Sequence, residues 1–177
     1  MTKRTEIRIC GLGGQGVVLA GQILGRAAVF DGLNVVQTQS YGAEARGSNA
    51  KSEVIISDGK IGFPVVRHCD VLIAMSQGSL DSSAEDLKED GVLIVDDTSV
   101  EHVPEDLTAK VFRVAATKIA EDSFKSKLYA NIVMLGAVTT ITKLATIKSM
   151  ERAIAESLPE NTRKTNIDAF RKGLELV

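Results

Sequence analysis

The chain has 177 residues, 44% of them hydrophobic, with 21 basic and 23 acidic side chains and a formal charge of −2. That length suits one well-packed core, so a single domain over residues 1–177 is expected. The balanced charge gives no general drive towards nucleic acid. No apolar run approaches the ~20 residues that cross a bilayer, and Met1–Glu6 lacks the apolar centre of a signal peptide, which predicts a cytoplasmic protein without a membrane partner.

In chain order, a short apolar strand, Ile7–Cys10, leads into Gly11-Leu12-Gly13-Gly14-Gln15-Gly16 and then an apolar helical run, Val17–Phe30. Four glycines in six positions let the backbone turn sharply and approach a ligand closely. The first N–H groups of the following helix favour an anion above the loop. Gly11, Gly13 and Gly16 also fit the dinucleotide pattern G-x-G-x-x-G, which needs an acid at the end of the second strand to hold a ribose. The second strand, Asn34–Thr38, runs into Gln39-Ser40, and no carboxylate stands there. Asp31 sits in the Asp31-Gly32 stop of the preceding helix, and the nearest arginine is Arg46, in the next loop. A nicotinamide site therefore lacks its ribose partner, and a ligand-free tight turn is the other reading of the same glycines.

Next comes Asn49–Ser57, followed by Asp58-Gly59, a hairpin signal that returns the chain through Lys60–Phe63 at a sheet edge. Asp70–Met75 reads as a buried strand, Gly78–Asp90 as an amphipathic helix, and Gly91 as a break before the apolar strand Val92–Val95. Lys110–Val114 is a further strand. Tyr129–Leu144 is apolar nearly all round, so it is expected to be buried on several faces, with Gly136 packed closely on another backbone. Ile147–Leu158 is a short helix stopped by Pro159. Ile167, Phe170, Leu174 and Val177 form one helical stripe. The sum is an α/β fold: three layers, a mostly parallel Rossmann-like sheet with an antiparallel edge hairpin, and helices on both faces.

Open sheets of this kind bind ligands at the carboxyl ends of their strands. Gly11–Gly16, Gln39–Ser48, Ser76-Gln77-Gly78 and Asp96-Asp97-Thr98 should gather there. Two adjacent aspartates invite a metal or general-base reading, but Asp and Thr after a strand serve as turn and cap residues, and that role is expected. Cys10 and Cys69 cannot supply the ligands of an iron–sulfur cluster. His68 adjoins Cys69 on what would be the opposite strand face. Both thiols are expected to be buried as small apolar side chains, and no metal is expected in this chain.

The loop Gln39-Ser40-Tyr41-Gly42-Ala43-Glu44-Ala45-Arg46-Gly47-Ser48-Asn49 sets two glycines around an opposite-charge pair. Together, the Gly-Gly-Gln-Gly start and the Ser-Tyr-Gly-x-Glu-x-Arg-Gly loop closely resemble the gamma subunit of 2-oxoacid:ferredoxin oxidoreductases. Ser52–Ser57, Ala74–Gln77, Ile94–Asp96, Asn131, Leu135–Ala137 and Ala169–Gly173 extend the resemblance over essentially the whole chain. Ser48 departs from it, standing where a second glycine is usual; a positive φ there would strain it.

The resemblance implies an oxidoreductase acting on the oxo group of donors, with an iron–sulfur protein as acceptor. Its complex uses thiamine diphosphate, Mg, iron–sulfur clusters and coenzyme A to convert a 2-oxoacid into acyl-CoA and carbon dioxide while reducing ferredoxin. Alpha, beta and delta chains carry the cofactors, the gamma chain has no catalytic residue, and the isolated chain is expected to be inactive and to form a homodimer. Gly11, Gly13, Gly14, Gln15, Gly16, Ser40, Tyr41, Glu44, Arg46 and Gly47 are the residues expected to face coenzyme A or a neighbouring subunit. A stand-alone NAD(P)-binding oxidoreductase and a ligand-free structural module are the alternatives.

Overall fold

The computed structural model describes residues 3–42 and 48–177. Six strands form one sheet in the order β2-β3-β1-β4-β5-β6: β1 Arg4–Leu12, β2 Asn34–Tyr41, β3 Asn49–Ser57, β4 Cys69–Ala74, β5 Leu87–Asp96 and β6 Lys110–Val114. The pairings of β1 with β4, β4 with β5, and β5 with β6 are parallel. β3 alone runs the other way, antiparallel to β1 on one side and β2 on the other. The carboxyl ends of the other five strands therefore share one edge of the molecule.

Side chains alternate between two cores, as a pleated sheet requires. On one face Ile7, Ile9, Val54, Ile56, Val71, Ile73 and Ile94 pack under the helices. These are α1 Val17–Phe30, α3 Ala116–Phe124, α4 Ala130–Thr142, α5 Ile147–Ser157 and α6 Glu160–Leu174. On the opposite face Cys10, Ile55, Leu72, Ala74, Leu93 and Val95 form a smaller core with Val66, Leu80, Ala84 and Val100. A five-residue helix, α2 Gln77–Asp81, a 3-10 turn at Ala84–Asp86 and irregular chain cover it. Arg8, only 3% exposed, ties this covering down. Its guanidinium donates to Glu53 and Asp86 and to the carbonyl of Val66.

The first ten residues of α4 are all buried, as their apolar composition predicts. Gly136 meets the Phe170 carbonyl and Gly173 of α6 so closely that a Cβ on either glycine would strike the other helix's backbone. That lets the α4 and α6 backbones meet directly at this crossing.

The sequence expectations fail at three places. The edge hairpin pairs β3 with β2, and Lys60–Phe63 forms no strand. Both sides of β3 are taken by β1 and β2, so no edge remains for a third strand; Asp58 instead pairs back onto the main chain of Lys3. The predicted helix Gly78–Asp90 is short: only Gln77–Asp81 is α-helical, and Leu87–Asp90 already belongs to β5. Gly91 therefore lies inside that strand, beside a register shift between Cys69 and Val71. Helix α3 had no sequence signal strong enough to be read. At the C-terminus the predicted stripe ends at Leu174, and Val177 is 47% exposed beyond α6.

Candidate functional site

The glycine loop joins β1 to α1 at the carboxyl edge of the sheet. Its shape is set from within. Gln15 Oε1 accepts from Leu12 N at 2.6 Å and Gln15 Nε2 donates to the Met75 carbonyl at 2.8 Å. Gln15 N closes a turn on Leu12 O, and Gly13 N donates to Ser48 O at 2.9 Å. Gln15 is thus a strut between the loop and the end of β4. The residues left facing outward are Leu12, Gly13 and Gly14, all exposed. Gly14 has φ 99° and open space around it.

Gly16 is the start of α1, with φ 73°. A side chain there would collide with the Asn131 amide, which donates to the Gly16 carbonyl at 3.1 Å. Asn131 is 4% exposed, and its Oδ1 is buried without a hydrogen-bond partner among the described residues. The adjoining cavity, about 10 Å³ and lined by Ile9, Val17, Met75 and Asn131 among others, is the size of one water. No side chain caps α1. The first-turn N–H groups of any helix lack partners within the helix and favour an anion.

Two other helix starts at this level of the hierarchy are filled from within the chain. Asp96, fully buried at the end of β5, accepts from Thr117 N at 3.1 Å and Thr117 Oγ1 at 2.5 Å, in the first turn of α3. It also accepts from Ser99 Oγ and Thr98 N. This is the cap role expected of the pair, and Asp97 only holds Arg113 at the surface. Asp31, at the end of α1, accepts from Thr146 N, Thr146 Oγ1 and Ser149 Oγ at the start of α5. Partial burial pushes the Asp31 carboxyl up, but the hydrogen bonds from Ser149 and Thr146 outweigh it and hold the group below its ordinary value.

Of the residues expected at the site, Gly11 lies in β1 beneath the loop, against Gln15 and Met75. Ser40 and Tyr41 end β2, both exposed, Tyr41 by 63%. Glu44, Arg46 and Gly47 lie outside the described residues. Ser48 keeps an ordinary φ: among the described non-glycine residues only Lys125 and Lys143 have a positive one. Ser76-Gln77-Gly78 joins the same edge, Gln77 bonding to the main chain of Ser99, Glu101 and His102. Asn131 entered the sequence reading as a match without a role. Its contact with Gly16 spans 115 residues, and no local pattern announces it.

Cys10 and Cys69 are both free and buried. Burial pushes the Cys69 thiol up to about 12, and it raises Cys10 as well. Among the described residues no three His, Cys, Asp or Glu side chains could hold a metal ion, and no helix is long and apolar enough to cross a membrane.

The family model for pyruvate ferredoxin/flavodoxin oxidoreductase matches residues 6–176. The 2-oxoglutarate synthase subunit KorC of Methanocaldococcus jannaschii is 49% identical over 176 residues, covering 98% of this chain and 94% of that protein. The pyruvate synthase subunit PorC of Methanothermobacter marburgensis is 34% identical over 96% of each chain. The crystal structure of a keto/oxoacid ferredoxin oxidoreductase gamma subunit from Geobacter sulfurreducens superposes with a TM-score of 0.86 at 41% identity, over 97% of this chain and 96% of that one. The chain belongs to the pyruvate ferredoxin/flavodoxin oxidoreductase family, as a gamma-type subunit of a 2-oxoacid:ferredoxin oxidoreductase.

Proposed function

We propose that this gamma subunit serves a cytoplasmic complex that oxidises 2-oxoglutarate to succinyl-CoA, with alpha, beta and delta chains as its partners. Within that complex its glycine loop seats a phosphate of coenzyme A. The choice of 2-oxoacid rests on the 49% identity to a 2-oxoglutarate synthase subunit against 34% to a pyruvate synthase subunit. The seat rests on one observation: α3 and α5 receive a carboxylate of this chain at their starts, while α1 receives none from the described residues. An anion from outside would fill at α1 the position that Asp96 and Asp31 fill elsewhere.

The residues present suit a phosphate. Gly13 and Gly14 leave the approach to α1 open, and the helix dipole and N–H groups favour negative charge without any cation. Gln15 and Asn131 hold the loop so that these donors are ordered before the ligand arrives. Thiamine diphosphate with Mg and the iron–sulfur clusters, bound by the other subunits, supply the decarboxylation and electron transfer. This chain orients the thiol donor and leaves carbon dioxide release and ferredoxin reduction to its neighbours. Tyr41 and Ser40 sit at the same edge and would meet the catalytic chains.

Reconstitution tests the reading. The purified chain should show no turnover of any 2-oxoacid, and mixing with its alpha, beta and delta partners should give coenzyme A-dependent ferredoxin reduction, fastest with 2-oxoglutarate. Equal or greater rates with pyruvate would overturn the substrate assignment. Turnover by this chain alone would overturn the division of labour.

A further inference from the structure

A lysine stands beside the glycine loop, on the face of the sheet away from α1. The register of the ladder sets Lys51 of β3 opposite Cys10 of β1 on one side and Ser40 of β2 on the other. Directly opposed residues share a face, and Cys10 belongs to the smaller core, whereas α1 packs on the larger one. Alternation along β1 turns Leu12 to the Lys51 face as well. Leu12 is 37% exposed and the Lys51 side chain 39%.

The ladder also sets the distance from the loop. Leu12 pairs with Asn49 at the last rung, and Gly13 N donates to Ser48 O at 2.9 Å. Lys51 is two residues further along β3, roughly 7 Å by strand rise. The strand residues between it and the carboxyl edge are Ser40, Tyr41, Asn49, Ala50 and Leu12, none of them charged.

The fold does not consume this charge. Among the described residues Lys51 has one ion pair, with Glu53 Oε1 at 3.8 Å. The same oxygen already accepts from Arg8 Nε at 3.0 Å and from Arg8 Nη2 at 2.7 Å. Glu53 is thus committed to a buried guanidinium, which depends on its partner far more than a solvent-facing ammonium does.

We propose that Lys51 binds the ribose phosphate of coenzyme A, so that this chain tells coenzyme A from dephospho-coenzyme A, which lacks that group. The inference rests on the proposed seat at the start of α1. Coenzyme A carries a diphosphate bridge and, on its ribose, a separate phosphomonoester. Main-chain donors at a helix start suit the diphosphate. The phosphomonoester bears about −1.5 to −2 charges at neutral pH and calls for a cation, which Lys51 supplies as a point charge. Leu12 lies between the two positions and offers the ribose and adenine an apolar surface. Ser40 and Tyr41 continue that surface to where the catalytic chains would meet it, so the ligand lies between subunits.

Ferredoxin reduction by the reconstituted complex tests this, with coenzyme A and dephospho-coenzyme A as alternative thiols. The constant for the dephospho form is its KM or, where turnover is too slow, its Ki against coenzyme A. Lys51→Gln should raise the KM for coenzyme A about fivefold relative to that constant, the scale of a solvent-exposed ion pair. Lys51→Arg should keep the wild-type preference. A wild-type complex that handles both thiols alike would overturn the proposal. So would Lys51→Gln shifting both constants together, or neither. Gly14→Asp, compared with Gly14→Asn, should weaken both thiols equally, because the diphosphate is common to them. Loss of that difference with the Lys51 preference intact would sink the α1 seat; the reverse outcome would sink only the assignment of Lys51.

Discussion

Helices α1 and α5 begin in opposite ways, and the difference supports the proposed seat. At α5 the chain supplies everything: Thr146 caps its own helix through Ser149 N, and Asp31 binds Thr146 and Ser149 from the end of α1. At α1 the described residues supply none of this; Gly16 offers no side chain, and Gly14 has open space around it. A helix start filled by a local carboxylate is a structural joint. One kept open on a rigid scaffold, by a glutamine strut and a buried asparagine, is suited to receiving a ligand.

Substitutions sharpen this contrast by their size. The largest effect is expected from Asp96→Ala. It strips a fully buried carboxylate from Thr117, Ser99 and Thr98 and leaves buried donors unpaired, costing about 3 kcal/mol in urea unfolding. Gly16→Ala should cost about 2 kcal/mol, through its left-handed backbone and the clash with Asn131. Its partner effect, a weaker response to coenzyme A in the reconstituted complex, separates the open helix start from the closed ones. A fully active complex carrying Gly16→Ala would break the comparison.

Asp31→Asn should cost about 1 kcal/mol at neutral pH, the usual scale of a lost cap. Because the folded Asp31 carboxyl lies below its ordinary value of 3.8, its contribution is complete above that pH. It is lost as pH falls through the lower, folded value. The stability difference between wild type and Asp31→Asn should therefore shrink in acid; a difference that grows there would contradict the assignment. Smallest of all, Cys10 and Cys69 should resist alkylation at pH 8 until the protein unfolds, since both thiols are buried and raised.

The start of the fold could be read from sequence because its signals are local. Glycine punctuation placed α1 at Val17–Phe30, where it lies, and apolar runs located β4, β5 and α4. Leu87–Asp90 was misread because Lys88, Glu89 and Asp90 look helical and polar. The strand begins there because Leu87 pairs with Cys69, a contact no window contains. The open seat was readable as glycine spacing, but its support was not. Asn131 reaches Gly16, and Asp31 reaches Thr146, across 115 residues each. Asp96 announced a cap without revealing that Thr117, 21 residues on, would be its partner.

The central claim is that the start of α1 receives a phosphate, and Gly14 gives the most direct test. Gly14→Asp and Gly14→Asn impose the same backbone strain at φ 99° and differ only by one negative charge. In the reconstituted complex the account predicts a KM for coenzyme A about tenfold higher for Gly14→Asp than for Gly14→Asn, equivalent to ~1.4 kcal/mol, with the KM for the 2-oxoacid equal in the two. Identical coenzyme A values for the pair would contradict it.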